Sequence, residues 1–436
     1  MRPRRLQCLQ GRDPRNDAAM AMSADGPNLR RLALLLAGLA MFGPFSIDTI
    51  FPAFPSMGAD LRADKLAMQQ TISVYLVAYA LMSLVHGPLS DMLGRRRVIL
   101  GGLVVFVAAS VGCALADDLS TLLVFRAIQG LSAGVGLIVG RAVIRDVLHG
   151  DDAQRLMSQV SMIFGVAPAI APVVGGWLLG WGRWPLIFWF LVAFSTLLLL
   201  ATWRWLPETL PPQSRLAPSP RRLLRDYAWI ALNPRFLRLA LAGALNFAAL
   251  FLYIASAPAF VLDLLRLDER QFGWFFIPMI SGMMLGAFVS GRAAGRISGT
   301  RLANIGFAVS AVAMLANLAY SALVDAPSVP WAVLPMVFDA FGIALVFPIV
   351  TLAILDMYPR QRGSASSLQA FVGLVLNAVL AGVVSPLVSG DPLYLAALAA
   401  AFMLSGWAFW RWEARRGRTP PACPPAPDAM EPTGQL

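Results

Sequence analysis

The chain is poor in the side chains that build metal centres, disulfide frameworks and nucleotide sites. It has two histidines, three cysteines and only 14% charged residues among 436. His86 and His149 do not have metal-ligand spacing, and no Gly-x-x-x-x-Gly-Lys phosphate loop occurs. Cys8, Cys113 and Cys423 include no pair placed for a disulfide. We therefore expect no metal, no cofactor and no enzymatic activity.

Apolar residues dominate instead. They make up 58% of the sequence, more than a soluble globular protein usually contains. Windows of about 19 residues predict twelve helices, each long enough to cross a bilayer core of about 30 Å. Barrel strands of about 10 alternating residues do not fit. The predicted spans are Leu32–Phe51, Gln70–Leu89, Val98–Leu115, Leu122–Val143, Leu156–Leu179, Leu186–Trp205, Phe236–Val261, Phe272–Val289, Leu302–Val324, Trp331–Leu355, Leu368–Val388 and Leu393–Trp410.

The cations are distributed unevenly over the connecting loops. Arginine clusters occur before the first span and then in every second loop, while the intervening loops hold few cations. This alternation follows the positive-inside rule. It predicts a multi-pass protein of the bacterial inner membrane with both termini in the cytoplasm. It also accounts for the formal net charge of +11 without nucleic acid as a partner.

The segment from Pro207 to Pro234 is the longest interruption of the apolar sequence. It separates six spans from six, and two similar six-helix halves around a midplane site are common in secondary transporters. We therefore predict an all-α membrane protein of two pseudo-symmetric bundles. Its parts are a cytoplasmic tail at 1–31, an N-terminal bundle at 32–206, a cytoplasmic linker at 207–234, a C-terminal bundle at 235–411 and a disordered tail at 412–436.

A short charged turn follows the second span. Gly87 and Gly94 allow two helix ends to pack closely. Asp91 offers a carboxylate to cations or to backbone N–H groups, and Arg95 and Arg96 mark the cytoplasmic face. Taken by themselves, these residues predict a charged turn that sets the membrane topology of the chain.

Asp48 lies roughly four to five helical turns into the first span. An acid costs about 2.5 to 3.5 kcal/mol at the centre of a membrane helix, so a buried one is usually protonated, paired or in contact with water. Asp48 is therefore a candidate proton carrier. The alternative is that it only caps the helix at the periplasmic interface.

Arg126 lies in the periplasmic half of the fourth span, at a depth comparable to that of Asp48. The two side chains are able to form an ion pair, or to exchange that pairing for a proton or a substrate. Alternatively, Arg126 snorkels to the interface. Arg141 follows about 60° further round the helix and continues a polar face toward Arg145 and Asp146.

Pro168, Pro172, Gly175 and Gly176 mark the fifth span. Proline removes a backbone donor and glycine has no side chain, so these residues kink the helix and let a neighbour approach closely. Kinks are common in membrane helices, which is the alternative to a functional motif.

Other polar residues within the spans are candidates for a central cavity. Asp339 is a second protonatable group, an interface residue or a partner of an arginine in the other half. Membrane helix bundles also use polar residues as glue, so each cavity candidate has that alternative. The cavity candidates are Tyr75, Tyr79, Asn246, Tyr253, Gln369 and Asn377.

Together, these motifs resemble the major facilitator superfamily, and within it the drug:proton antiporters of the Bcr/CflA type. The resemblance covers nearly all the spans. Two departures are Met92, where the family usually has Arg or Lys, and Ala171, where the wider family has glycine. The matching segments are Gly87-x-Leu89-x-Asp91-x-x-Gly94-Arg95-Arg96, Asp48 with Pro52 and Pro55, Arg126-x-x-Gln129-Gly130, Arg141-Ala-x-x-Arg145-Asp146 and Pro168-Ala-Ile-Ala-Pro172-Val-Val-Gly175-Gly176.

The resemblance implies roles for these motifs. The charged turn is expected to stabilise one conformational state through contacts across the two halves, and Arg95 is expected to meet Asp146. Arg126 is implicated in proton coupling. The glycine and proline run of the fifth helix resembles the antiporter motif, which separates exporters from uptake members.

We therefore expect a proton-coupled multidrug efflux transporter. It would export small amphipathic drugs, uncharged or cationic and chloramphenicol-like or bicyclomycin-like, by alternating access. The alternatives are a metabolite exporter or uptake carrier of the same fold, and a membrane enzyme or sensor, for which the linker at 207–234 is too short. The expected partners are the drug, protons and the lipid bilayer, and we expect a monomer.

Overall fold

The computed structural model describes residues 29–148, 150–215, 220–293, 296–359 and 361–416. These residues form helices, turns and loops, without a strand among them. Most of the N-terminal tail expected at 1–31, linker residues 216–219 and the C-terminal tail beyond Arg416 lie outside the described residues.

The first half consists of six long helices. Aspartates begin two of them, because the side chains of Asp64 and Asp118 accept hydrogen bonds from the free backbone N–H groups of the first turn. Hydrogen bonds from Thr121 lower the pKa of the Asp118 carboxyl, so this cap stays ionised. The helices are α1 (Leu29–Asp48), α2 (Lys65–Leu93), α3 (Arg95–Ala114), α4 (Leu119–Ala133 and Val135–Val147), α5 (Gly150–Leu179) and α6 (Pro185–Trp205).

Six further long helices form the second half. A linker helix, Pro220–Ala231, precedes them. Proline begins two of the six, at Pro234 and Pro392, where its missing N–H would have no partner within the helix. The helices are α7 (Pro234–Ala255), α8 (Gly273–Ala293), α9 (Gly299–Leu323), α10 (Leu334–Met357), α11 (Arg362–Val379, Leu380–Val384 and Ser385–Val388) and α12 (Pro392–Arg416).

The length and composition of these helices suit a membrane. In the described ranges, eleven helices are long and apolar enough to cross a bilayer. The remaining one, α5, is 30 residues long and has an apolar section at Val166–Leu179. The all-α membrane architecture expected from the sequence is therefore confirmed. Some helices extend beyond the predicted spans, such as α2, since hydropathy windows do not detect polar first and last turns. By contrast, α1 ends at Asp48 and α7 at Ala255, before the predicted ends at Phe51 and Val261.

The two halves repeat the same helix packing. In the first half, α1 packs on α5, α2 on α4 and α3 on α6. The equivalent pairs in the second half are α7 with α11, α8 with α10 and α9 with α12. The halves meet along two further pairs, α2 with α11 and α5 with α8. A transporter that moves its halves relative to each other must shift both of these seams.

The halves are joined by polar contacts at the end of the molecule opposite the linker, here called the distal end. Lys65 Nζ, at the start of α2, lies 2.5 Å from Asp263 Oδ2, in the loop after α7. Gln69 Nε2 donates to the carbonyl of Ala255 at 3.0 Å. The distal end is therefore closed in this conformation. Further contacts across it join Gln70 to the Gly382 carbonyl at 2.8 Å, Ser73 to the Ala378 carbonyl at 2.9 Å and the ring of Phe51 to that of Phe276 at 6.2 Å between centroids.

The linker helix contacts the opposite end, here called the linker end. The Tyr227 hydroxyl donates to the carbonyl of Leu84 in α2 at 2.8 Å. Burial raises the pKa of the Tyr227 phenol, so the group remains a donor at neutral pH. This bond ties the linker to the first half.

Two adjacent glycines of α3 test the packing of α3 on α4. A Cβ on Gly102 would lie 2.8 Å from Val135 Cγ1, whereas nothing lies within 4 Å of one on Gly101. Overpacking costs about 1–3 kcal/mol. Gly102→Val should therefore lower the melting temperature of the purified protein in detergent by several degrees, and Gly101→Val should leave it nearly unchanged. Equal shifts in the two variants would contradict this packing.

Candidate functional site

Arg126 is the centre of a buried polar network in the first half. Its side chain is fully buried in α4. Nη1 donates to the Ser46 carbonyl of α1 at 2.9 Å and to Gln129 Oε1 at 2.8 Å, and Nε donates to the Thr71 carbonyl of α2 at 3.2 Å. One guanidinium thus fixes the relative positions of α1, α2 and α4.

Tyr75 covers the guanidinium of Arg126. The Arg126 Cζ lies 4.5 Å from the centre of the Tyr75 ring, and the Tyr79 ring meets Tyr75 edge-on at 6.5 Å. A desolvated cation gains about 2 kcal/mol from such a ring. Gly130 makes the arrangement possible, because a side chain there would collide with the Tyr75 carbonyl. Gln129 continues the network by donating to Ser110 Oγ at 2.8 Å.

Arg126 has no carboxylate partner among the residues that the structure describes. Its Nη2 is buried and makes no hydrogen bond within them. Carbonyl dipoles and the Tyr75 ring stabilise the charge, but a buried cation gains much more from an anion. The unbonded Nη2 is therefore free to bind an anionic or hydrogen-bond-accepting group that enters the bundle.

Asp48 was predicted to lie at a bilayer depth comparable to that of Arg126, which makes it the first candidate for such a group. The structure shows no bond between the two side chains. Asp48 is the last residue of α1 and is 5% exposed. It makes neither an ion pair nor a hydrogen bond with the described residues. The ion pair with Arg126 considered from the sequence is thus absent in this conformation. The dipole of α1 adds to the cost of a negative charge here, since carbonyl groups point toward the C-terminal end of a helix.

Asp339 is the corresponding buried acid of the second half. It is fully buried in α10, and neither carboxylate oxygen has a partner in the described ranges. Ser310 Oγ of α9 donates to the backbone carbonyl of Asp339 at 3.3 Å. Asn317 of α9 donates to the Tyr253 hydroxyl of α7 at 2.6 Å. No arginine of the first half meets Asp339 among these contacts.

The remaining cavity candidates lie in separate places. Gln369 Nε2 donates to Thr351 Oγ1 at 3.0 Å. Asn246 and Asn377 are buried with an unbonded amide oxygen each, counted over the described residues. Hydrogen bonds therefore do not join the six candidates into one cluster. Only Tyr75 and Tyr79 lie at the Arg126 network.

The charged turn after α2 forms a compact ion cluster. Arg95 Nη1 lies 2.5 Å from Asp91 Oδ1 and donates to Ser90 Oγ at 2.6 Å. Arg95 Nε donates to Asp146 Oδ2 at 3.0 Å. The cluster joins the end of α2, the start of α3 and the end of α4. Arg96 lies beside it and donates to the Trp203 carbonyl of α6 at 2.7 Å.

Glu208 belongs to this cluster and was not singled out from the sequence. Its Oε1 accepts a hydrogen bond from the backbone N–H of Arg95 at 2.8 Å, at the first turn of α3. Gly94 has φ 100°, and the Glu208 carboxylate lies where a side chain at position 94 would be. Thr209 donates to Asp146 Oδ2 at 3.0 Å. A feature of the sequence that could have pointed to Glu208 is that Gly94, the residue before α3, has no side chain to cap the helix.

Arg141 and Gly87 lie near the cluster but outside it. The Arg141 side chain is accessible to water, yet it lies beside Tyr79 and protein surrounds most of it. This combination is expected for a side chain in a cleft rather than on the outer surface. Gly87 has nothing within 4 Å of the position of a Cβ. Close packing at Gly87, expected from the sequence, is therefore not found, whereas Gly94 is closely packed.

The glycine pair of α5 contacts both halves. A side chain on Gly175 would collide with the Thr49 carbonyl, next to Asp48 in α1's end turn. One on Gly176 would collide with the Glu269 carbonyl, in the loop between α7 and α8. Gly175 thus supports the site, and Gly176 supports the closed distal end. The helix continues through Pro168, which is half-buried, and Pro172, which is buried.

Glu208 offers a direct test of the turn. Glu208→Ala removes both the acceptor and the charge at the start of α3, which should cost about 0.5–2 kcal/mol. Glu208→Gln keeps an acceptor oxygen and loses only the charge, so its loss should be smaller. The melting temperatures of the two variants in detergent measure the difference. If Ala and Gln reduce stability equally, or not at all, Glu208 does not cap α3.

Comparison with known proteins agrees with this geometry. A model of the Major Facilitator Superfamily matches residues 34–381. The chain is 30% identical to YdgK, an uncharacterized MFS-type transporter of Bacillus subtilis, over 85% of this chain and 91% of the relative. It is 28% identical to multidrug resistance protein D of Escherichia coli, over 80% and 87% of the two chains. It is 23% identical to a bicyclomycin resistance protein homolog of Haemophilus influenzae, over 81% and 88%.

A solved structure shows the same fold. The crystal structure of a bacterial homolog of the human lysosomal transporter Spinster aligns with a TM-score of 0.68 and 18% identity, over 94% of this chain and all of that one. The family expected from the motifs is thus confirmed, and the bacterial relatives place this multi-pass protein in the inner membrane. The chain belongs to the major facilitator superfamily, and it is a membrane transporter rather than an enzyme.

Proposed function

We propose that the chain works as a monomer that exports small amphipathic drugs in exchange for protons, by alternating access, with both termini in the cytoplasm. The observation that carries this proposal is the buried carboxyl of Asp48, which has no hydrogen-bond or ion-pair partner among the described residues. It lies two residues after Ser46, whose carbonyl binds the buried Arg126, and Arg126 has no acid among the described residues either. The relatives named for multidrug and bicyclomycin resistance support drugs as the cargo.

The environment of Asp48 favours its protonated form. A carboxylate in an apolar bundle needs a cation, several donors or water. None of the described residues supplies the first two to Asp48. Asp48 therefore holds a proton in this conformation, and it releases that proton when water or a cation reaches it.

Arg126 provides the means to link that proton to a drug. Its Nη2 has no partner within the described residues, so it can donate to a drug carbonyl, while a cationic or hydroxyl group of the same drug binds the Asp48 carboxylate in place of the proton. The drug and the proton then compete for one carboxylate, so that binding of the drug releases the proton. This competition is the physical basis of exchange in the proposal.

The closed distal end sets the direction from which the drug enters. The contacts there are weak enough to open, because Lys65 and Asp263 are exposed and such pairs contribute about 0–1 kcal/mol. The Gln69 and Gln70 amides exchange their carbonyl partners for water when the end opens. In the proposed cycle the drug enters from the linker end and leaves through the distal end.

The charged turn acts on the same cycle from the linker end. Arg95, Asp91, Asp146 and Glu208 lie within the first half in this conformation. In the proposal, Asp91 exchanges part of this bonding for contacts to the second half when the linker end closes. Asp91 is the member of the cluster best placed to do so, since its side chain is 38% exposed.

Drug-evoked proton release tests the roles of Asp48 and Arg126. The purified protein, in weakly buffered detergent solution, should release protons when chloramphenicol or another transported drug is added. Asp48→Asn is nearly isosteric and should abolish the release. Arg126→Lys keeps a charge but loses the fork, so it should weaken drug binding about tenfold or more. Asp64→Asn, an exposed helix cap, is the matched control and should behave like the unmodified protein.

The same assay decides the role of Asp339. If Asp339→Asn reduces the number of protons released per drug, the second acid takes part in coupling.

If Asp48→Asn and Arg126→Lys both retain full release, the proposal is wrong. If drug moves inward in vesicles with the proton gradient, the chain is an uptake carrier.

Gly176 tests the closing of the distal end. A methyl group at this position separates α5 from the Glu269 carbonyl, so Gly176→Ala should shift the population toward an open distal end and slow drug export severalfold. Cross-linking of cysteines placed at positions 65 and 263, in a background without the native cysteines, measures closure. Gly390→Ala, which has open space around it, should leave both the yield and the export rate unchanged.

A further inference from the structure

Two cavities lie on the outer surface of the seam between α5 and α8, near the distal end and apart from the Arg126 network. Their volumes are about 350 and 280 Å³. They share one lining residue, Arg270, in the loop that leads into α8. The two cavities thus form one surface groove with a guanidinium at its centre.

Arg270 is held against α5 by the absence of side chains there. A Cβ on Gly180 would lie 2.6 Å from an Arg270 guanidinium nitrogen, and one on Gly176 would lie 3.2 Å from the Arg270 Cα. The Arg270 backbone N–H donates to Asp268 Oδ1 at 2.8 Å, which fixes the loop. Its guanidinium makes no ion pair with any carboxylate in the described part of the chain. The charge is therefore positioned and has no anion.

Three tryptophans line the groove together with Arg270. Trp177 and Trp181 of α5 are 60% and 80% exposed, and Trp274 of α8 is 59% exposed. Trp274 lines the larger cavity, and Trp177 and Trp181 line the smaller one. Tryptophan is enriched where a membrane protein passes from hydrocarbon to headgroups. The groove therefore lies at headgroup depth, where lipid phosphates are concentrated.

The rest of the lining is apolar except for Gln271. Val173, Ile277 and Pro278 continue it along the seam away from Arg270, toward the middle of the bilayer. A free inorganic anion would use only the guanidinium. A phospholipid would use both parts, with its phosphate on the Arg270 fork and an acyl chain along the apolar wall.

We infer that this groove binds a phospholipid, with the phosphate paired to Arg270 and the headgroup enclosed by the three tryptophans. Lipids whose headgroup has no ammonium, such as phosphatidylglycerol, fit best, because no cation of the lipid then competes with the guanidinium for the phosphate. The site uses the seam that shifts when the halves move, so a lipid there favours the conformation in which Gly176 and Gly180 pack against the loop. The inference does not depend on the transported substrate.

Lipid titration of the full-length protein tests the inference. The protein is purified in detergent, stripped of lipid and titrated with phosphatidylglycerol, and the bound lipids are counted by native mass spectrometry. Arg270→Gln should weaken one binding event about tenfold. Arg266→Gln, an exposed arginine of the same loop that lines neither cavity, is the matched control and should bind as the unmodified protein does.

Three comparisons complete the test. Arg270→Lys keeps the charge but loses the paired N–H donors of the guanidinium, so its affinity for the lipid should be intermediate. This variant also tests the inference if Arg270→Gln fails to fold. Diacylglycerol, which lacks the phosphate, should bind at least tenfold more weakly than phosphatidylglycerol. Millimolar sodium phosphate should not displace the lipid. Equal affinity in the Gln variant and the unmodified protein, equal binding of diacylglycerol, or full displacement by phosphate would each overturn the inference.

Discussion

Arg126 is the interaction on which the first half depends. A bilayer core contains no water, so a polar group in a helix bundle is costly unless it finds a partner inside the protein. Arg126 answers this constraint with backbone carbonyls of α1 and α2, the amide of Gln129 and the ring of Tyr75. It therefore fixes three helices around one positive charge. Among the described residues no acid is used to do this, so Asp48 has no ion-pair partner there and is available for the proton-binding role that we propose.

Glycine determines where helices and loops approach each other most closely. Gly130 lets α4 reach the Tyr75 carbonyl, and Gly175 lets α5 reach the end of α1 beside Asp48. Gly176 and Gly180 continue the same face of α5 to the loop of the second half. One helix thus connects the proton site, the distal contacts between the halves and the surface groove at Arg270. A conformational change at any of these places is expected to reach the others through α5, a continuous helix of 30 residues that contains Pro168 and Pro172.

The sequence predicted the features that follow from local composition. Hydropathy found the twelve spans, because a membrane helix is apolar over nearly its whole length. Motif spacing found Arg126, Asp48, Arg95 and Asp146, because chemistry-bearing residues are rare in such a chain. It missed contacts that join distant segments: Glu208 caps α3 from 113 residues away, and Gln69 reaches a carbonyl 186 residues away. The sequence also allowed an Asp48–Arg126 pair by depth alone, and only the helix rotation in the fold shows that they are not bonded.

In the proposed exchange, drug binding removes a proton from the buried carboxyl group of Asp48. Infrared difference spectroscopy of the membrane-embedded protein detects this directly, because a protonated carboxyl has a carbonyl stretch that a carboxylate lacks. Adding a transported drug should reduce the protonated-carboxyl band while carboxylate bands increase. A drug-induced spectrum in which the protonated-carboxyl band is unchanged, although the drug binds and is exported, would contradict it.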